Sequence, residues 1–205
     1  MPQTPFLTRV VLRNFKIIGS CDLRIGSLNF LVGANGAGKS NFLDALHLVR
    51  DALASSLDNA LNGRGGLTEV RRHSSGHPAH FGIRLKFALP DSRRGHHAFN
   101  IGALSGRGYE VITEECAISE QGSGSYFCVE RGRLKESSES TFSAITPDRL
   151  ALVSVSGLTA FRPVFDALMA MGFYNLNPDS ASSFRFQPRP TGFPVIPAQA
   201  GTARE

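Results

Sequence analysis

The sequence predicts an α/β protein: a mixed β-sheet carrying one long helix, followed by an antiparallel meander. Three observations lead there. A short, largely apolar run, Leu28-Asn29-Phe30-Leu31-Val32, enters a glycine-rich stretch and reads as a buried strand. Phe42, Leu46, Val49, Leu53 and Leu57 then recur at helical spacing and lay one apolar stripe along a helix. From Phe81 the period changes to two, and turn residues recur at short intervals.

Each element follows from its local pattern. Residues 7–13 (LTRVVLR) alternate as a strand. Residues 17–25 give a second, with Cys21, Leu23 and Ile25 on one face and Asp22 and Arg24 on the other. The two form an expected hairpin, and Gly26-Ser27 turns the chain into the apolar run. The long helix is expected to end at Asn62-Gly63, and residues 63–78 read as a loop. Phe81, Ile83, Leu85 and Phe87 face one way, and Gly82, Arg84, Lys86 and Ala88 the other, which makes a half-buried strand. Turn signals at Pro90-Asp91-Ser92, Ser105-Gly106-Arg107-Gly108 and Gln121-Gly122-Ser123-Gly124 separate strands expected over 98–104, 109–118 and 126–134. Residues 150–155 (LALVSV) read as another strand and 161–171 as a helix. Residues 1–177 form the folded part. Residues 178–205 carry five of the eleven prolines, lack any period, and read as a disordered or loosely attached tail.

Composition sets limits on the functional class. An apolar content of 41% is ordinary for a protein with a packed core. The net charge of +5 permits contact with nucleic acid without demanding it. Cys21, Cys116 and Cys128 are odd in number and lack C-x-x-C spacing, which suits reduced thiols better than a disulfide framework or a zinc site. No signal peptide is evident, and no run approaches the roughly 18 apolar residues of a membrane span. A soluble, cytoplasmic protein with no membrane partner is the expectation.

The chemistry-bearing motif lies between the apolar run and the helix. Gly33, Gly38, Lys39 and Ser40 fit G-x-x-x-x-G-K-[ST] within Gly33-Ala34-Asn35-Gly36-Ala37-Gly38-Lys39-Ser40-Asn41. The glycines let successive N–H groups turn toward one phosphate, and the helix N-terminus adds its positive dipole end. Lys39 is placed to reach β- and γ-phosphates, and the Ser40 hydroxyl to ligate Mg²⁺.

The surroundings of this loop carry a resemblance. Leu12-Arg13-Asn14-Phe15-Lys16, a short hairpin and then the phosphate loop resemble the start of the ABC-class ATPase heads. Within that class they look like the RecF, SMC and OLD-type group of chromosome-maintenance, repair and phage-defence ATPases. The specific part covers roughly residues 7–60, and the meander matches only in architecture. The resemblance implies the N-terminal lobe of a P-loop NTPase with ATP and Mg²⁺ as cofactors. It adds Arg13 and Asn14 as nucleotide-site candidates, and it implies a second ATPase head or a full-length relative as partner, on DNA.

Such heads also need a signature loop and a Walker B strand ending in Asp-Glu. Leu104-Ser105-Gly106-Arg107-Gly108 resembles the signature but sits between two expected strands, so it reads as a hairpin turn. Val111–Glu115 and Tyr126–Glu130 lack the Asp, and Glu114, Glu115 and Glu130 read as strand glutamates facing water. Gln121 reads as a solvated turn residue and His47 as structural. The loop histidines His73, His77 and His80, with His96 and His97, have no Asp, Glu or Cys beside them in sequence and do not read as a metal site. The basic clusters Arg71-Arg72, Arg93-Arg94 and Arg131, Arg133 and Lys135 leave DNA contact open. The expectation is an ATP-binding part of such an ATPase that ends before the catalytic half. Two alternatives stay open: a non-catalytic interaction module, and a compact P-loop kinase or GTPase, although the N-K-x-D of GTPases is missing.

Overall fold

The structure, a computed structural model, describes residues 6–73, 78–104, 108–120, 123–146 and 148–174. Two compact units divide the chain, Met1–Gly172 and Phe173–Glu205. Every element below belongs to the first, and only Phe173 and Tyr174 of the second are described. The proline-rich tail, the Ser105–Arg107 turn and Gln121 lie outside the described residues.

Seven strands form one sheet in the order β2-β1-β3-β4-β5-β6-β7, with every neighbouring pair antiparallel. They are β1 (Leu7–Phe15), β2 (Ile18–Arg24), β3 (His80–Ala88), β4 (Arg94–Leu104), β5 (Gly108–Glu120), β6 (Ser123–Glu130) and β7 (Arg133–Ser137). Period-two patterning puts Val10, Leu12, Phe81, Ile83, Leu85, Phe99, Ile101 and Val129 on one buried face. Helix α1 (Lys39–Ala54) covers that face at the β1 side, burying Phe42, Ala45, Leu48, Val49, Ala52 and Leu53. On the far half, Phe127 of β6 meets Phe142 and Phe161 edge-on, with ring centroids 5.5 and 5.2 Å away. Phe161 opens α5 (Arg162–Met169), whose Val164 and Leu168 complete the core.

The α/β class, the helix after the glycine loop and the meander are found as the sequence predicts. The departures have local causes. The strand expected over 28–32 joins no ladder: Leu28 is 71% exposed, Phe30 79% and Val32 91%. A ladder through this run, which would make the sheet mixed, is not formed among the described strands. The long helix breaks at Ser55-Ser56, where the Ser56 hydroxyl accepts the Asn59 N–H at 3.0 Å and caps α2 (Leu57–Asn62). Serine favours caps over helix interiors because its hydroxyl competes for backbone groups. Leu57, expected to continue the α1 stripe, is buried from α2 instead. The expected loop over 63–78 contains a short helix, α3 (Leu67–Val70), and the Val70 carbonyl accepts the Lys16 N–H at 2.7 Å. The expected strand over 126–134 turns at Arg131-Gly132, both at positive φ (47° and 72°), as a two-residue hairpin requires.

The expected strand over 150–155 is helical, as α4 (Ala151–Ser154). A short apolar run has no decisive period, and a tertiary contact settles the outcome. Glu114 of β5 is fully buried and accepts the N–H groups of Ala151 and Leu152, capping the first turn of α4 from across the sheet.

Candidate phosphate-binding site

The site begins with conformations that side chains resist. Gly36 and Gly38 have φ of 81° and 93°. Gly38 is also crowded: a Cβ there would stand 3.3 Å from Ile18 Cγ1 and 3.6 Å from Ile17 Cδ1. Glycine therefore lets the loop turn while the β1–β2 hairpin packs against it. Gly38 is the N-cap of α1 and gives no side-chain bond. The first helical bond runs from Phe42 N–H to Gly38 C=O at 2.9 Å, so the amides of Lys39, Ser40 and Asn41 have no partner within the helix. The dipole end and these amides favour an anion.

Lys39 sits over the loop. Its Nζ donates to the carbonyls of Gly33 and Ala34, each at 2.8 Å. The cation is thus held by two carbonyls of the loop itself. Ser40 follows it, exposed at the start of α1. A cleft of about 190 Å³ is lined by Ile17 and by Asn35, Gly36, Ala37, Gly38, Lys39, Ser40 and Asn41. A neighbouring cleft of about 660 Å³ runs on past Ile18, Leu23, Phe30 and Val32. The loop amides, a cation and a hydroxyl at this spacing fit a nucleoside triphosphate with Mg²⁺: the amides and Lys39 would hold phosphate oxygens, and Ser40 the metal.

Ion pairs hold the hairpin against the helix. Lys16 Nζ lies 2.6 Å from Asp44 of α1, and Arg64 reaches Asp44 at 2.9 Å and Asp51 at 3.0 Å. This clamp fixes the turn that carries Ile17. Ile17 lines both clefts and is 55% exposed. The sequence reading missed it; its signal was an apolar pair, Ile17-Ile18, at a turn where polar residues are usual.

Gly33, Ala34, Asn35, Gly36, Ala37, Gly38, Lys39, Ser40 and Asn41 are brought together as one loop and helix start. Arg13 and Asn14 are placed elsewhere. Arg13 lines a cleft of about 400 Å³ with Arg84 and Glu115, on the sheet face turned away from α1. Asn14, at φ 52°, accepts the Arg72 N–H through its carbonyl at 2.7 Å.

The three strand glutamates divide. Glu114, expected to face water, is instead buried: besides capping α4, it accepts from His97 Nε2 at 2.9 Å. Glu115 pairs with Arg84 and lies 3.2 Å from His96, and Glu130 pairs with Lys135 at 3.1 Å. Antiparallel register thus supplies His96 and His97 with carboxylates that sequence neighbours did not suggest. No group of three or more His, Cys, Asp or Glu residues positioned for a metal occurs among the described residues. The described residues lining the two P-loop clefts include one carboxylate, Asp22, and Arg9 Nε donates to it at 2.6 Å. All three cysteines are unpaired, and burial pushes each thiol pKa upward. No helix among the described residues is long and apolar enough to cross a membrane.

A glycine loop at the head of a helix, with Lys39 and Ser40 at its first two positions, has the form of a P-loop. Parts of the chain match known proteins. Residues 28–108 match the family described as "AAA domain, putative AbiEii toxin, Type IV TA system". The chain is similar to the DNA replication and repair protein RecF of Vibrio atlanticus, 39% identical over 59 residues, which is 28% of this chain and 16% of that protein. RecF of Vibrio cholerae serotype O1 matches at 37% and that of Aliivibrio fischeri at 36%, each over 59 residues. These matches thus span about a sixth of the relatives' length. A solved structure from work on ATP-driven dimerization and DNA-stimulated activation of SMC ATPases covers 64% of this chain and 73% of its own, at 18% identity and a TM-score of 0.35. The sequence similarity thus lies in the N-terminal part of the chain, to an AAA-domain family over residues 28–108 and to RecF proteins over 59 residues.

Proposed function

We propose that this chain binds ATP with Mg²⁺ in the cradle of Gly33–Asn41 and serves an ATPase of the RecF/SMC type that works on DNA. The observation that carries the reading is the posture of Lys39, whose Nζ is held 2.8 Å from the carbonyls of Gly33 and Ala34 in the loop that leads into α1. Charge-assisted bonds from this ammonium to phosphate are among the strongest contacts the loop can offer. Mg²⁺ would supply charge neutralisation at the phosphates, with the Ser40 hydroxyl as its protein ligand. Arg13 and Asn14 remain secondary candidates for the nucleoside end. A second ATPase head or a full-length relative is the proposed protein partner.

A second reading, binding without turnover, is favoured by one observation. The single described carboxylate in the P-loop clefts, Asp22, is already held by Arg9. A general base alone contributes about 10²–10⁴ in rate, so a chain without one turns ATP over at background. Thermal shift with ATP, GTP or no nucleotide, each with Mg²⁺, tests the binding claim. ATP is expected to raise the melting temperature and Lys39→Ala to remove most of that rise. Equal shifts in wild type and variant would sink the assignment. A phosphate-release assay on the same samples separates the two readings.

A further inference from the structure

The sheet face turned away from α1 carries a row of cations that the P-loop does not use. Register places them. Arg9 of β1 lies directly opposite Arg24 of β2 on one side and Lys86 of β3 on the other. Three cations therefore occupy adjacent strands about 4.8 Å apart. Arg84 pairs with Val11 along the same face, and Arg13 with Gly82 and Ser20. Like charges directly opposite across a ladder repel and destabilise the pair. Two carboxylates relieve part of this, Asp22 on Arg9 and Glu115 on Arg84. Arg13, Arg24 and Lys86 are exposed and make no ion pair among the described residues. His96, opposite Lys86, adds no charge near neutral pH, because burial and then Arg84 lower its pKa. The aromatics of β1 and β3, Phe15, Phe81 and Phe87, are all buried, so these strands offer charge and hydrogen bonds without a ring.

We propose that this face, centred on Arg9, Arg13, Arg24 and Lys86, docks the phosphate backbone of duplex DNA. The choice of polyanion rests on the DNA-linked reading given above; the charge geometry stands without it. Duplex DNA presents one negative charge per roughly 1.7 Å of its axis, which a row of cations matches without reading bases. Single strands are held largely by stacking on aromatic side chains, which these strands do not present. The docking is therefore independent of sequence and strongly dependent on salt. The hairpin-tip arginines that the sequence singles out are the rival surface.

Fluorescence anisotropy with a labelled duplex of arbitrary sequence, full chain and no nucleotide tests the proposal. With three unpaired cations, log K is expected to fall against log salt with a slope of about −2.7. Arg24→Ala with Lys86→Ala is expected to flatten that slope by about 2. Arg24→Glu with Lys86→Glu is expected to weaken binding at low salt by more than about tenfold. Arg131→Glu with Arg133→Glu, on the opposite edge of the sheet, is expected to keep wild-type affinity. Thermal melts of every variant confirm folding, and the alanine pair keeps the test decisive if the glutamate pair does not fold. No binding by wild type, equal loss in the Arg131/Arg133 variant, or equal competition by polyglutamate or single-stranded DNA would overturn the assignment. Because nucleotide is absent throughout, failure of the P-loop reading would appear in the ATP thermal shift and leave this result standing.

Discussion

Two apolar stretches meet opposite fates in this molecule. Strand β3 (His80–Ala88) alternates large apolar and polar residues, pairs with β1 and β4 on its two edges, and buries Phe81, Ile83, Leu85 and Phe87. The run Leu28-Asn29-Phe30-Leu31-Val32 is as apolar but does not alternate, and it stands outside the sheet with three of its side chains more than 70% exposed. The difference teaches what each pattern requires. An alternating strand needs one covered face, and α1 with α5 provides it. A run apolar on both faces needs cover on both sides and a ladder on each edge, and no described strand supplies that. Hydrophobicity alone marks a segment for burial; the period decides how much structure must surround it.

Substitutions can break this contrast. The largest expected effect is Phe81→Ala, which removes a fully buried ring and should cost about 3–5 kcal/mol in urea unfolding. Phe30→Ala, the same change at a 79% exposed ring, should stay within about 0.5 kcal/mol. Comparable losses would mean that the run is covered in solution. Next comes Glu114→Gln, which puts an amide donor among N–H donors at the α4 cap. One unsatisfied buried group should cost about 1–3 kcal/mol, and a neutral result would show that α4 holds without this bond. The smallest effect is expected at His96. Burial first and Arg84 next lower its pKa from the ordinary 6.5. Above that value neither the folded nor the unfolded state carries the proton, so His96 contributes nothing to the pH dependence. As pH falls through 6.5 the unfolded state takes a proton that the fold resists, and stability drops. His96→Gln should flatten that part of the stability–pH curve; an unchanged slope would assign it to other groups.

Much of this contrast was legible in the sequence, and the limits were physical. Residues 81–88 and the helix after Gly38 could be read because period two and period 3.6 are local properties. The phosphate loop could be read for the same reason, since Gly33, Gly38, Lys39 and Ser40 meet within one turn of chain. Long-range effects stayed hidden. Glu114 looked like one more strand glutamate because its partners, His97, Ala151 and Leu152, are brought to it only by sheet register. Residues 150–155 were misread as a strand for want of that cap. Ile17 was overlooked because its role depends on the Lys16–Asp44 ion pair that lays the hairpin against α1. Arg13 and Asn14 entered through resemblance, and the structure sets them away from the P-loop clefts.

The β1–β3 pairing has one more consequence. Strands β1 and β2 close on themselves as a hairpin, and β3 through β7 form a run of neighbours in chain order. One seam, Leu12 against Ile83 and its neighbours, joins the two groups, and the chain between them, P-loop included, is an enclosed loop only while the seam is shut. Opening the seam releases that loop entropy and loosens the cradle together with it. A ligand that binds only the closed form must then slow the opening wherever the opening is sensed. Nucleotide in the cradle should therefore slow amide hydrogen exchange at Val10 and Leu12, residues that no phosphate touches, and leave the β6–β7 hairpin unchanged.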